Sequence, residues 1–491
     1  MSETAKDTPK ETKKKKKGEG LSAFSILAII LVALGIITMI MAACNVQGVE
    51  GATIADITTA PILGFADALP VCLFVLVLGG FLGVVGETGA LDDGIGALVH
   101  KMNGKEILLI PILMIIFSIG GTTYGMWEET VPFALLLAAT MVAAGYDTLT
   151  GVAIVLAGAG CGVLGSTVNP FAVGAAVDAL SSTGIEVNQG IILGLGAVLW
   201  ICSITIAIIY VMRYARRVKD DRSKSYLTAD EVADMNATFS GEEGEAATGD
   251  KADPTLTGRQ KATLIVFGIT FVIMIIGFIP WGEFGIDIWG WTTFLVGVPL
   301  GEWYFNEAST WFLLMTIIIG FVAWMGEPRF IKAFLNGAAD MISVVLIIAV
   351  ARSITVLMGE TGLDQWILNA AAGALSGVAS FVFAPASLVL YMLLTVLIPS
   401  SSGMATVSMP IMGPLAAQLG FSVEVMIMIF VAGSGLVNLI TPTAGALVGG
   451  LALAKVKYAT WLKFFLKLFI ILAVMCLVVL TLAMMFIPAT A

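Results

Sequence analysis

Residues 24–43, 191–212, 262–280 and 462–487 form four predominantly apolar runs. A helix rises about 1.5 Å per residue, so roughly 20 such residues cross the ~30 Å hydrocarbon core of a bilayer. Hydrophobic residues make up 58% of the 491 and charged residues only 12%, about half the usual charged share of a soluble domain. A water-soluble fold cannot hide that much apolar surface. The chain therefore reads as an all-α polytopic membrane protein.

The net charge of −10 mostly reflects one acidic loop and points to no nucleic-acid partner. Five cysteines lie in apolar surroundings without paired spacing, as small hydrophobes rather than a disulfide framework or metal site. His100 is the single histidine, and no zinc-protease, phosphate-loop or dinucleotide fingerprint occurs in a plausible setting. Residues 1–21 carry the run "KKKKK" at 13–17. They read as a disordered basic tail that holds the N-terminus in the cytoplasm, because the apolar run after it is too long for a cleavable signal peptide.

Loop charge supplies the threading. Residues 68–85 return inward to a loop with His100, Lys101 and Lys105, and the run 191–212 ends at "RYARRVKDDRSKS". Basic residues favour the cytoplasmic side. The acidic stretch "GEEGEAATGDKADPT", residues 241–255, reads as a flexible tether. Arg329 and Lys332 mark the inside again, no Lys or Arg occurs over 353–454, and Lys455, Lys457 and Lys463 mark the following inward face. The expected organisation is a tail (1–21), a first membrane repeat (22–212), a charged cytoplasmic linker (213–258), a connecting helix with an extracellular-side segment (259–309) and a second, inverted membrane repeat (310–491).

The repeat is written in the residues. "GETGALDD" at 86–93 and "GETGLDQW" at 359–366 are 273 positions apart, as are Asp67 and Asp340 in the preceding "GFADAL" and "GAADMI". The threading puts the first copy inside and the second outside. "GGTTYGMWEETVPF" (120–133) resembles "IPSSSGMATVSMPI" (398–411), each with Gly-Met followed by proline at one interval. "GSTVNPFAVGAA" (165–176) likewise pairs with "NLITPTAGALVGG" (438–450).

The polar tips interrupt apolar segments of about 14 residues, ~21 Å of helix, too short to cross. Residues 105–119 with 131–144, and 384–398 with 409–419, are thus expected as two re-entrant hairpins. Pro170 and Pro442 would break two longer helices. Irregular backbone at membrane depth needs protein or a water-filled cavity around it. Inverted repeats with broken helices near the midplane are the signature of secondary transporters.

At these motifs, and at "LAKVKYATWLKFF" (453–465), the sequence resembles the YfcC family of the ion transporter superfamily, related to the anaerobic C4-dicarboxylate carriers. The resemblance covers most of the chain from about Ser22, apart from the acidic linker. It implies a bacterial inner-membrane carrier, a transport domain of two hairpins and two broken helices, and an elevator motion against a homodimeric scaffold. It also implies a dicarboxylate or a basic amino acid as substrate, without choosing between them.

The expected substrate ligands are Thr122, Thr123, Tyr124, Glu128 and Glu129 at the first tip, Ser401, Ser402 and Thr406 at the second, and Asn169, Asn438, Thr441 and Thr443 at the breaks. Ser166, Thr167, Asn169 and Thr441 are the candidate sodium ligands, since freed carbonyl, hydroxyl and amide oxygens suit a small cation. The break residues could equally cap broken helix ends, and the glutamates could cap the helix from Val131. Arg352 could pair a substrate carboxylate, but the structural reading, snorkelling or pairing with Glu360, is preferred; Asp67, Asp340, Glu87 and Glu360 read as helix-end residues. Trp127 could stack on a ligand or seal the hairpin.

The function expected is secondary active transport of a small carboxylate-bearing metabolite, coupled to sodium or a proton or run as exchange, with no cofactor. Two glutamates at one tip and no cation at either favour an amino acid, basic if anything, over a C4-dicarboxylate. A channel would want a continuous polar file, and no catalytic constellation suggests an enzyme.

Overall fold

The computed structural model describes residues 23–91, 93–94, 97, 105–181, 183–239, 256–279 and 281–489. The basic tail, His100 and Lys101, and the acidic stretch 241–255 lie outside the described residues. In chain order, α1 (Ala23–Ala43), α2 (Ile54–Asp67) and α3 (Leu69–Glu87) precede a hairpin of α4 (Leu109–Tyr124) and α5 (Val131–Ala143). A helix interrupted between α6 (Thr148–Leu164) and α7 (Ala175–Ser181) follows, then the long α8 (Gln189–Asp220) and the short α9 (Ala229–Phe239). Next come α10 (Gly258–Phe278), α11 (Phe305–Val322), α12 (Glu327–Asp340), α13 (Ile342–Thr361) and α14 (Leu363–Leu375). A second hairpin of α15 (Ser380–Leu397) and α16 (Ser401–Gln418), a second interrupted helix, α17 (Val423–Asn438) with α18 (Gly445–Leu453), and α19 (Tyr458–Phe486) complete it. Among the described residues, nine helices are long and apolar enough to cross a membrane.

The "GETG" phrase is a helix stop. Gly89 and Gly362 both take left-handed backbone, φ +67° and +70°, which glycine reaches without steric cost at a helix C-terminus. Asp67 and Asp340 are the last residues of α2 and α12, so both copies place a short helix, a break and a long helix at the same 273-residue offset. The copies pack crosswise, α2 on α13 and α12 on α3. Contact is made through glycine: a Cβ at Gly337 would stand 2.3 Å from the Gly79 carbonyl, and one at Gly64 2.6 Å from that of Ala349. Small residues let backbones approach where lipid offers no hydrophobic drive to associate. Neither α2 nor α12 was expected from apolar run length, although Thr53 and Asp56 form a capping box at the start of α2.

The centre of the bundle is the pair α6 and α17, in which every residue is buried. They cross where Gly435 admits Leu164, at 2.5 Å from where a Cβ would sit. The arms α4 and α5 both pack on α6, and α15 and α16 both on α17. The hairpin arms run to 16, 13, 18 and 18 residues, so all but α5 exceed the 14 or so expected. The second hairpin departs most: Pro385, Pro410 and Pro414 lie inside continuous helices. Proline removes one N–H and crowds one carbonyl, which neighbours in a helical membrane bundle can re-satisfy.

Within the expected linker 213–258, part of the chain is firmly docked. Asp147 caps α6 at Thr150 and accepts hydrogen bonds from the Tyr214 and Ser225 hydroxyls, both at 2.6 Å. Glu231, buried in α9, accepts from Thr228 N–H (2.7 Å), Thr460 Oγ1 (2.9 Å) and the Lys457 N–H (2.7 Å) at the start of α19. The strip from Asp221 through α9 is thus tied to the base of the first hairpin's neighbour and to the last helix. Between α10 and α11, residues 281–302 form short 3₁₀ turns, and aromatic rings of α3, α10 and α11 interlock around Phe81, Phe271 and Phe312.

Candidate functional site

The first hairpin tip begins where Gly125, φ +81°, ends α4. A Cβ there would stand 2.5 Å from Asn169 Oδ1, so the tip rests on the first helix break. Glu128–Thr130 form a 3₁₀ turn before α5. Glu129 is 2% exposed and folds its carboxylate back to accept the Trp127 N–H at 3.0 Å, while Glu128 is half-buried. The helix from Val131 carries no side-chain cap, so the capping role considered for these glutamates is corrected: Glu129 satisfies the tip's own backbone at Trp127 instead. The turn packs against α3, α6 and α18.

The first break is stitched to the same hairpin. Thr122 donates its hydroxyl to the Gly165 carbonyl at 2.7 Å, and its own carbonyl accepts from the N–H (2.8 Å) and hydroxyl (3.0 Å) of Thr167. Asn169 accepts from Phe171 N–H at 2.9 Å and donates to Ser166 Oγ at 3.0 Å. A five-residue π-turn, Pro170–Gly174, then leads into α7. Chain-end polar groups freed by the break are thereby satisfied, and Ser166, Thr167 and Asn169 share one hydrogen-bonded cluster.

The second break is wired differently. Thr441 and Thr443 pair their hydroxyls at 2.7 Å, and Trp461 and Tyr458 of α19 donate to the carbonyls of Leu439 and Ile440. Asn438 is buried, yet its Oδ1 has no hydrogen-bond partner among the described residues. A buried amide oxygen left without a donor is costly unless something else occupies it. Gly160 of α6 brings this break to the first tip: a Cβ there would lie 2.3 Å from Leu439 and 3.2 Å from the Trp127 ring. Glu128, Glu129, Asn169 and Asn438 thus belong to one junction.

Other expected residues stand elsewhere. Thr123 is half-buried and bonded to its own helix at Ile119. The Tyr124 ring is buried, with one face stacked on Phe278 of α10 at 4.9 Å, and its hydroxyl has no partner among the described residues. Ser401, Ser402 and Thr406 are not on a loop, because α16 starts at Ser401 with Ser400 as its N-cap. Thr406 is exposed and bonded to the Ser402 carbonyl, and none of the three hydrogen-bonds to either break. The second hairpin meets the site through α16, which packs on the π-turn and α7.

Glu360, one of the partners considered for Arg352, is not the one it meets: its ion pair is with Asp67, at 3.4 Å. Glu87 pairs instead with Arg329 at 2.7 Å. Arg352 also reaches the site. On α13, Val344 packs at Gly449 and Ile348 at Gly445 of α18. These helices therefore run antiparallel, and Arg352, one turn on along the same face, arrives at the level of residues 441–444.

Two hairpins folded onto two interrupted helices, whose first halves α6 and α17 are wholly buried, make the frame of a secondary transporter. The pattern of the DcuC family, the C4-dicarboxylate anaerobic carriers, matches residues 12–485, and the chain belongs to that family. It is 32% identical over 415 residues to an uncharacterised protein of Haemophilus influenzae, with 84% of this chain and 74% of the relative covered. It is 30% identical over 410 residues to YfcC of Escherichia coli K12, covering 81% of this chain and 74% of the relative, whose name proposes basic amino acid antiport. Among solved structures, the YdaH transporter of Alcanivorax borkumensis is similar at 17% identity and TM-score 0.46, covering 95% of this chain and 99% of that one. MtrF of Neisseria gonorrhoeae, described with a class of antimetabolite efflux pumps, is similar at 16% identity and TM-score 0.44, covering 96% of each chain. The protein is a multi-pass membrane transporter, and the relatives it matches are transporters rather than enzymes.

Proposed function

We propose that this protein is a secondary active transporter of amino acids, with a basic amino acid as the preferred substrate. The observation that carries this reading is the pair Glu128 and Glu129 at a tip that touches both helix breaks. Two carboxylates in a desolvated junction favour an ammonium or guanidinium group, and the name of the E. coli relative points the same way. Substrate enters as a cation held by the tip, while the oxygens of Asn169, Asn438, Thr441 and Thr443 order its polar groups. The 273-residue offset and crosswise packing support an inverted repeat that opens one site to either side. On this reading α1–α3 and α10–α13 form the scaffold of a homodimer in the bacterial inner membrane, the N-terminus is cytoplasmic, and the hairpins with the broken helices travel as an elevator.

Transport of a C4-dicarboxylate is the second reading, favoured by the family's own description and by Arg352 at the level of the second break. Sodium coupling would draw on Ser166, Thr167, Asn169 and Thr441, whose oxygens suit the ion but already serve the breaks; proton coupling would draw on the glutamates. Counterflow in proteoliposomes separates the readings. Vesicles loaded with unlabelled arginine or succinate are offered the labelled compound, with and without sodium. Arginine accumulation without sodium supports amino acid exchange, and sodium-dependent succinate accumulation replaces it with the dicarboxylate reading.

A further inference from the structure

We infer that Arg352 is the carboxylate-binding residue of the transport site, held on Asp67 until substrate arrives. The inference rests on the amino acid reading above and assigns to it the group that recognises the substrate's acid end.

The contact with Asp67 is a loose one. Only one guanidinium nitrogen approaches one carboxylate oxygen, at 3.4 Å, and Arg352 makes no hydrogen bond among the described residues. Asp67 is itself half-exposed, with 51% of its side chain accessible, against 23% for Arg352. A guanidinium carries five N–H donors in a planar fork shaped for a carboxylate, and an arginine at membrane depth with its fork unused is costly. The pair is therefore a holding contact whose donors stay free for a better acceptor.

Position supplies the rest. The stacking of Val344 on Gly449 and Ile348 on Gly445 sets Arg352 one turn further along that face of α13, level with the segment before Gly445 that forms the second break. The tip turn that carries the hairpin carboxylates packs on the same helix, α18, as α13 does. The junction is thus two-signed, with carboxylates on the tip and a guanidinium on α13. That arrangement complements an α-amino acid, whose acid and basic groups need opposite partners.

The test compares labelled arginine counterflow, with unlabelled arginine or agmatine as competitor, in wild type, Arg352→Gln, Arg352→Lys and Asp67→Asn/Arg352→Gln. Agmatine is arginine without its carboxylate. If Arg352 grips that carboxylate, Arg352→Gln raises the half-saturation concentration for arginine about 10-fold to 100-fold. The same variant leaves agmatine competition unchanged, and Arg352→Lys falls between. The double variant does not recover, because stranding Asp67 is not the cause. Equal losses for arginine and agmatine, or recovery in the double variant, overturn the inference and leave Arg352 as a structural counter-ion while amino acid transport stands. If the wild type accumulates succinate instead, the amino acid reading fails, and Arg352 is judged by whether Arg352→Gln raises the half-saturation for succinate as much. A wild type that accumulates neither overturns both.

Discussion

The thiol of Cys72 in α3 lies 3.8 Å from the carbonyl oxygen of Val345 in α13, 273 residues further along the chain. That is the offset separating the two "GETG" helix stops, so these two positions are repeat mates that touch. Mates can meet only near an axis relating two copies, and the proposed inverted repeat requires such an axis between α3 and α13. Around it the glycine-lined crossings of α2 with α13 and of α12 with α3 form the frame against which the site is set.

Those crossings should tolerate no added atom. Gly337→Ala places a Cβ against the backbone of Gly79 and Gly83, at 2.3 and 2.8 Å, where neither can yield. We expect a loss of about 1–3 kcal/mol, read as a lower melting temperature of the purified protein in detergent. Gly268→Ala in α10, with nothing within 4 Å of the new methyl, should melt at or slightly above wild type. Equal melting of the two variants would remove close glycine packing as the reason for these positions.

Glu231 ties the segment after α8 to α19. Glu231→Ala strands the Lys457 N–H and the Thr460 hydroxyl, and leaving buried donors unmade costs about 1–3 kcal/mol each. The variant should release α9 to limited proteolysis while the rest of the bundle stays resistant. Unchanged cleavage of α9 would show that the strip is held by other contacts.

The two break asparagines should behave oppositely. Asn169 uses both ends of its amide inside the first break, so Asn169→Ala should cost about 1–3 kcal/mol of stability as well as transport. Asn438 offers an oxygen that bonds nothing among the described residues, so Asn438→Ala should change stability by less than about 1 kcal/mol while counterflow falls at least about 10-fold. A large melting shift with normal counterflow in Asn438→Ala would move that residue out of the site.

The hairpin glutamates carry the charge reading. Glu128→Gln and Glu129→Gln should each lower arginine counterflow about 10-fold or more, the effect of losing one charge-assisted hydrogen bond. Glu129→Gln should also destabilise the tip, since its carboxylate holds the Trp127 N–H. Full transport by both variants would fail the charge reading outright.

Read alone, the sequence established that the chain is a helical membrane protein, where its helices stop and where they break. Run length, "GETG" and the prolines at 170 and 442 are local signals: lipid demands about 20 apolar residues per crossing, and glycine and proline act on their own backbone. It also located Glu128, Glu129, Asn169 and Asn438, whose polarity stands out against apolar neighbours. It misjudged the second tip, because Ser401, Ser402 and Thr406 belong to a helix that packing sustains through two prolines. Only the tertiary structure decided that Arg352 meets Asp67, that Tyr124 stacks on Phe278, and that α9 is bound through Glu231. Each of these is a choice of partner between distant segments, set by which helix faces pack together, and nothing in either segment's own composition reports the face it will meet.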